Sequence, residues 1–170
     1  MWNSQVIIML LEGIRDTLYM TLASTLFGYI IGLPMGIVLT VTDKDGIRPN
    51  AAVYKVLDVI SNLLRSIPFI ILLIVLIPFT RFVVGRSYGS TATIVPLTIA
   101  AAPYIARMVE SSLKEVDAGV IEAARSMGAS DFQIVTKVML VEARTSLIVG
   151  ATISPVSYTH LRAHETRSNL

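Results

Sequence analysis

Uncharged apolar runs divide the chain. The first, residues 17–42, lies between Asp16 and Asp43 and as a helix would be about 39 Å long at the usual rise per residue. A bilayer core is about 30 Å thick, so this run predicts a membrane span with room for tilt. It is too long for a secretory signal peptide, and no basic stretch precedes it. The segment ahead of it, 2–15, is mostly apolar and reads either as an interfacial lead-in or as an early extension of the same helix. The second run, 66–80, would be only about 22 Å long. It gains length backwards through 56–64, where Asp58, Asn62 and Arg65 fall at i, i+4 and i+7 on one helix face. Such a stripe can line a polar interior or lie in the membrane interface. Pro68 and Pro78 bracket the run and predict a bend. The third run, 87–106, contains Pro96 and Pro103, which membrane helices tolerate where neighbours satisfy the freed carbonyls. A fourth begins at Thr145 and changes character at Pro155.

Charge then orients the runs. Lys44, Arg48, Lys55 and Arg65 flank the first connection, and Arg107, Lys114, Arg125, Lys137 and Arg144 mark a long polar stretch after the third run. Only Arg15, Arg81 and Arg86 lie on the opposite side. Cytoplasmic loops are the basic ones, so the N-terminus is expected outside and residues 107–144 inside. Composition fits a membrane protein. Of 170 residues, 54% are hydrophobic and 15% charged, against about 45–50% and about 25% in soluble domains, and the mean hydropathy is +0.69. Disorder is excluded, since it needs low hydrophobicity and high charge. Fourteen basic and twelve acidic residues are too balanced for a nucleic-acid binder, and no cysteine is present for a disulfide, metal site or nucleophile.

Two constellations stand out. Ser24, Gly28, Gly32, Gly36 and Thr40 recur every four residues in the first span. Small residues at that spacing let helix backbones approach closely in lipid, within the chain or between subunits; a glycine surface facing a substrate path is the other reading. In the polar stretch, 120–135 reads as helix, turn, helix. Gly119 can begin the first helix, Gly128 suits a left-handed stop, and Ser130 with Gln133 forms a capping-box pattern. Ile121, Ala124 and Met127 fall at helical spacing. This short helix is either a docking element for a cytoplasmic partner or a solvated loop packed only on its own membrane domain. Nothing resembles an active site. The uncharged runs of spans one to three hold no Asp, Glu, His or Cys to partner a nucleophile. Asp58 with Arg65 is expected to form a structural ion pair. Arg107 with Glu110 is expected to be a helix-end pair, or to steady the loop where the third span leaves the membrane. No phosphate-binding G-x-x-x-x-G-K-[ST] loop is present, so the chain is not expected to bind nucleotide itself.

Glu122-Ala123-Ala124, with Gly128 four residues further on, resembles the cytoplasmic loop motif of bacterial ABC importer permeases. Thr17-Leu18-Tyr19-Met20-Thr21-Leu22, Gly32-Leu33-Pro34, Arg65-Ser66-Ile67-Pro68-Phe69-Ile70-Ile71-Leu72-Leu73, Ile77-Pro78-Phe79-Thr80-Arg81 and Ala102-Pro103-Tyr104-Ile105-Ala106-Arg107-Met108-Val109-Glu110 resemble the methionine-importer branch of that family. The resemblance extends from about Trp2 to Ser154. It implies an all-α, polytopic transmembrane helical bundle with a cytoplasmic coupling-helix loop, in the bacterial cytoplasmic (inner) membrane. In that family the loop seats in an ATPase subunit, which places ATPase coupling on Glu122, Ala123, Ala124, Met127 and Gly128. Implied partners are an ATP-binding-cassette ATPase, an extracytoplasmic substrate-binding protein, a second permease copy and membrane lipid, with no nucleic acid. No cofactor, metal or catalytic residue is expected, and the residues contacting substrate are not identified. The expected cargo is methionine, with another amino acid or small solute, or a non-transporting scaffold, as alternatives.

Two departures from the family pattern follow. Leu140-Val141 stands where Leu-Pro is usual, and valine permits the helix to continue into the fourth span. Permeases of this branch also carry one more span than the four runs read here. Residues 156–166 resemble one reading frame of an adapter used in transposase-based sequencing libraries. Native coding is therefore expected to end near Ser154, leaving 1–154 as a permease fragment that does not transport and 155–170 as a non-native tail. His160 and His164 lie four apart in that tail with no third ligand, so they are not expected to bind a metal.

Overall fold

A computed structural model of the protein describes residues 4–152. The tail from Pro155 on, with His160 and His164, lies outside the described residues. The described residues contain helices and no strand. The helices are α1 (Ser4–Thr42), α2 (Ala51–Ser66), α3 (Phe69–Val75), α4 (Ile77–Val84), α5 (Ser90–Lys114) and α6 (Ala118–Ser126). A continuous helical stretch follows: one turn, α7 (Asp131–Gln133), a π-helical segment Ile134–Met139, and another turn, α8 (Leu140–Glu142). Residues 144–152 are helical after a turn at Ala143. Helix therefore continues through Val141, where a proline would have removed a donor.

Residues 4–15 belong to the first span's helix, which settles the lead-in as an extension. Helices α1 and α5 are each long and apolar enough to cross a membrane. They run parallel. Asp16 accepts a hydrogen bond from Ser90 at one end (2.8 Å), and Asp43 pairs with Lys114 at the other (2.6 Å). Helices α2 to α4 make the return. The polar connection 43–50 and the stretch after Lys114 thus share one end, and Arg15 and the α4–α5 turn share the other. This arrangement has the same two-sided division as the Lys and Arg count.

The second apolar run does not lengthen backwards into one straight span. Helices α2 and α3 meet at 106°. Ile67, squeezed by the ring of Pro68, takes an extended ψ of 125° and ends α2 there. The third span also reaches further than its uncharged run. Residues 107–114 continue α5, so the polar stretch outside the span begins two turns later than its charges suggest.

Helix α5 is the centre of the packing. Ala101, Ile105, Val109 and Leu113, spaced by four, are all but fully buried. Ala124, Ile134, Val135, Met139 and Ala143 complete the same apolar cluster, against which Tyr29, Leu33, Ile37 and Val41 of α1 pack. On the opposite face of α1, Leu18, Leu22, Leu26 and Ile30 form an outward apolar stripe.

Candidate functional site

The small-residue stripe of α1 lies against α5. Ser24 and Thr40 are buried at its two ends. A Cβ on Gly28 would stand 2.9 Å from Ile105 Cδ1 and 3.1 Å from Ala101 Cβ. One on Gly32 would meet the Ala102 carbonyl at 2.8 Å, and one on Gly36 the Ala106 carbonyl at 2.5 Å and Val109 at 2.7 Å. The two backbones thus approach closely along 28–36, within one chain. Thr40 returns its hydroxyl proton to the Gly36 carbonyl (3.0 Å), so its polarity is absorbed inside the helix.

At the end shared by the 43–50 connection and the close of α5, charged side chains join three elements. Glu110 is buried and accepts from Arg107 (2.7 Å), Lys114 (2.8 Å) and the Tyr54 hydroxyl (3.3 Å). Arg107 also pairs with Asp58 of α2, whose carboxylate in addition accepts from Asn62 (3.2 Å). The Arg107–Glu110 pair forms as the i, i+3 spacing implies. Asp58, however, takes Arg107 as its cation rather than Arg65. Arg65, two turns along α2, is exposed, while Arg107 arrives from the packed neighbour and answers Asp58 and Glu110 together. Lys114 reaches beyond Glu110 to Asp43 and lies 5.9 Å from the centre of the Tyr54 ring. Its hydrogen bond holds the Asp43 carboxyl below the ordinary aspartate range, against a smaller opposing effect of burial.

Beyond Lys114 the chain turns through three residues into α6. The helix begins one residue before Gly119, because Asp117 caps it by accepting from the Gly119 N–H (2.6 Å). Ala124 is its buried anchor, whereas Glu122 and Ala123 are exposed. Met127 does not share Ala124's face: it lies past the last helical residue and is 82% exposed. Gly128 then takes φ +83°. Its N–H bonds to the Arg125 carbonyl (3.0 Å) and the Ala129 N–H to the Ala124 carbonyl (3.1 Å), the paired bonds of a Schellman stop. Ser130 and Gln133 form the capping box reciprocally, at 3.4 and 2.9 Å. The result is a short helix and a sharp turn, anchored from beneath by Ala124, with Ile121 and Ala129 packed beside it. Glu122, Ala123, Met127 and Phe132 are presented to the outside.

Two contacts of this region carry little advance signal. Arg125 reaches back 78 residues to donate to the Ile47 carbonyl (3.2 Å). The π-helical segment places Ile134, Val135 and Met139 together on the core. Apolar residues at i, i+1 and i+5 are compatible with its wider turn, although they do not require it. Among the described residues no cluster of metal-ligating side chains forms.

Residues 8–157 match the profile of the family described as binding-protein-dependent transport system inner membrane component. The chain is 52% identical over 149 residues to the D-methionine transport system permease protein MetI of Salmonella typhimurium, covering 88% of this chain and 69% of the relative. The protein of the same name from Escherichia coli K12 is equally similar, over the same shares. Among solved structures, an inward-facing MetNI methionine ABC transporter superimposes with a TM-score of 0.89 at 50% identity, over 92% of this chain and 72% of that one. An amino acid ABC transporter shares the fold at 20% identity, with a TM-score of 0.59 over 96% and 76% of the two chains.

Proposed function

Because the chain belongs to the family of binding-protein-dependent transport system inner membrane components, we propose that it is the membrane-spanning permease of an ATP-driven methionine importer. The 52% identity to methionine permeases carries the cargo assignment. It is not an enzyme; ATP is hydrolysed on a separate ATP-binding-cassette subunit. A second permease copy completes the pathway through the cytoplasmic (inner) membrane, the outward stripe of α1 faces lipid, and an extracytoplasmic binding protein delivers the substrate. The exposed helix α6 is the coupling element. Glu122 and Ala123, with Met127 and the Gly128 turn, form its outer surface, and Ala124 fixes it to the core. Closure of the ATPases pushes α6, and the packed spans answer by alternating access. The glycine seam of Gly28, Gly32 and Gly36 makes α1 and α5 respond as a unit.

The test is reconstitution of the permease, as encoded in intact genomic DNA, with its co-expressed ATPase and binding protein. Methionine-dependent ATP turnover and uptake of labelled methionine are the expected outcome. ATP turnover that ignores the binding protein would leave a scaffold, and uptake of another solute that methionine fails to compete would reassign the cargo. The topology has its own test. Single cysteines at Ser87 and Ser126 should be labelled by an impermeant reagent from opposite sides of the membrane, and labelling of both from one side would reject it.

A further inference from the structure

The connection between α1 and α2 has the contacts of a working part. Its backbone is stapled to the end of α1, Arg48 N–H donating to the Val41 carbonyl (3.0 Å) and Asn50 N–H to the Thr42 carbonyl (2.9 Å), while Gly46 N–H closes a turn on the Asp43 carbonyl within the connection (3.0 Å). The turn is so tight that a Cβ on Gly46 would collide with the Thr40 and Val41 carbonyl oxygens. This connection is therefore a stiff extension of α1. Helix α6 grips it twice. Ile47 packs against the apolar cluster that contains Ala124, and the Arg125 guanidinium donates to the Ile47 carbonyl (3.2 Å). Asp131, just past the Gly128 turn, lies 3.8 Å from the same guanidinium nitrogen, Nη2, and is its charge partner. Lys114, four residues before α6 begins, ties the other end of the connection through Asp43 (2.6 Å).

We infer that residues 43–50 travel with α6 as one rigid body, and that Arg125 is the positioning residue that joins them. Motion of α6 then reaches α1 directly through the Ile47 carbonyl, in parallel with the covalent path through α5. A push on α6 without this link would be partly spent in bending the three residues between α5 and α6. The inference rests on the coupling role proposed for α6, but it concerns a different partner for that helix: the chain's own first cytoplasmic connection.

None of the 170 residues is a cysteine, so introduced labels have no competitor among them. Spin labels at Arg48→Cys and Ser126→Cys, diluted with unlabelled copies, report the separation of the two elements in the assembled transporter. With Arg125 present, the distance distribution should be the same in nucleotide-free and nucleotide-bound states. In Arg125→Ala it should shift between the states, and transport per ATP hydrolysed should fall at least about fivefold, the low end of ordinary coupling between sites. Arg125→Lys, which keeps a charged donor, should recover more than half of that loss, and the ATPase should remain bound in both variants. A distance that changes between states with Arg125 in place overturns the inference, as does unaltered coupling in Arg125→Ala. Loss of the bound ATPase in Arg125→Ala would also overturn it, by assigning Arg125 to the ATPase contact. Failure of any ATPase to co-purify with the unaltered permease would instead reject the transporter reading.

Discussion

Glycine serves opposite purposes in two regions of the molecule. Along the α1–α5 seam it is present for space. Gly32 and Gly36 have helical backbones that any residue could adopt, but a Cβ at either would run into backbone oxygen and branched side chains of α5. At the α6 turn it is present for conformation. Gly128 has nothing within 4 Å of a hypothetical Cβ, yet its φ of +83° is one that side-chain-bearing residues avoid. At Gly32 and Gly36 the seam therefore resists bulk and ignores backbone preference, whereas the turn accepts bulk and depends on backbone preference. A transporter needs both kinds of stiffness. Under the proposed coupling role, the spans must move without shearing, and α6 must hold its shape while offering an open surface.

The sharpest way to break this contrast is to exchange the lesions. Gly36→Val drives branched carbons into the Ala106 carbonyl and Val109, both fully buried or backbone groups that cannot swing aside. Overpacking of this kind costs about 3 kcal/mol or more when the neighbours are rigid. The expected outcome is little or no folded permease after detergent extraction, read by gel filtration and thermal unfolding. Gly28→Ala should be far milder, since the flexible end of Ile105 is its nearest obstacle. Equal, near-normal yields of both variants would show that the seam opens more easily than its geometry allows.

Gly128→Val is the reciprocal lesion. It fits sterically but must hold a left-handed backbone, at about 1–2 kcal/mol. The cost falls on the turn, so the permease should still insert in normal amount, and the assembled transporter should lose stimulated ATP hydrolysis and uptake. Glu122→Lys should do the same by reversing charge on the exposed face, with no change in thermal stability. Normal transport by both variants would reject the coupling role and leave α6 as a solvated loop.

Much of this contrast is legible in the sequence, because its signals are local. The four-residue spacing of Ser24, Gly28, Gly32, Gly36 and Thr40 marks a helix face, and Gly128-Ala129-Ser130 with Gln133 writes a stop and a start in sequence order. What escapes is what depends on which helix arrives opposite. The stripe of Asp58, Asn62 and Arg65 is visible, but its cation comes from Arg107, 49 residues away, once α5 packs on α2. Pro68 announces a bend, whereas the 106° turn follows from extended geometry at Ile67 and from the packing of both arms. The tight turn at Gly46, the Arg125 bond to Ile47 and the π-helical stretch likewise need the tertiary structure, since no residue pattern within a few positions specifies them.

The smallest expected effect tests the ionic tie between these regions. Asp43 is mostly buried and pairs with Lys114, which is 42% exposed and so partly screened by solvent. The Lys114 hydrogen bond lowers the folded-state pKa of Asp43 below its ordinary value of 3.8, burial opposing it in part. A carboxyl lowered on folding contributes stability that is fully present above its unfolded pKa and is lost as the pH falls through its folded pKa. The difference in thermal midpoint between the parent and Asp43→Asn should therefore be constant from neutral pH down to about pH 5, then shrink towards the acid limit. Its plateau should correspond to no more than about 1 kcal/mol, as for other partly exposed pairs, and should decline with added salt. A difference that grows below pH 3.8 would mean that Asp43 is stabilised as the neutral acid, and its pair with Lys114 would not be an ionic tie between the first connection and α5.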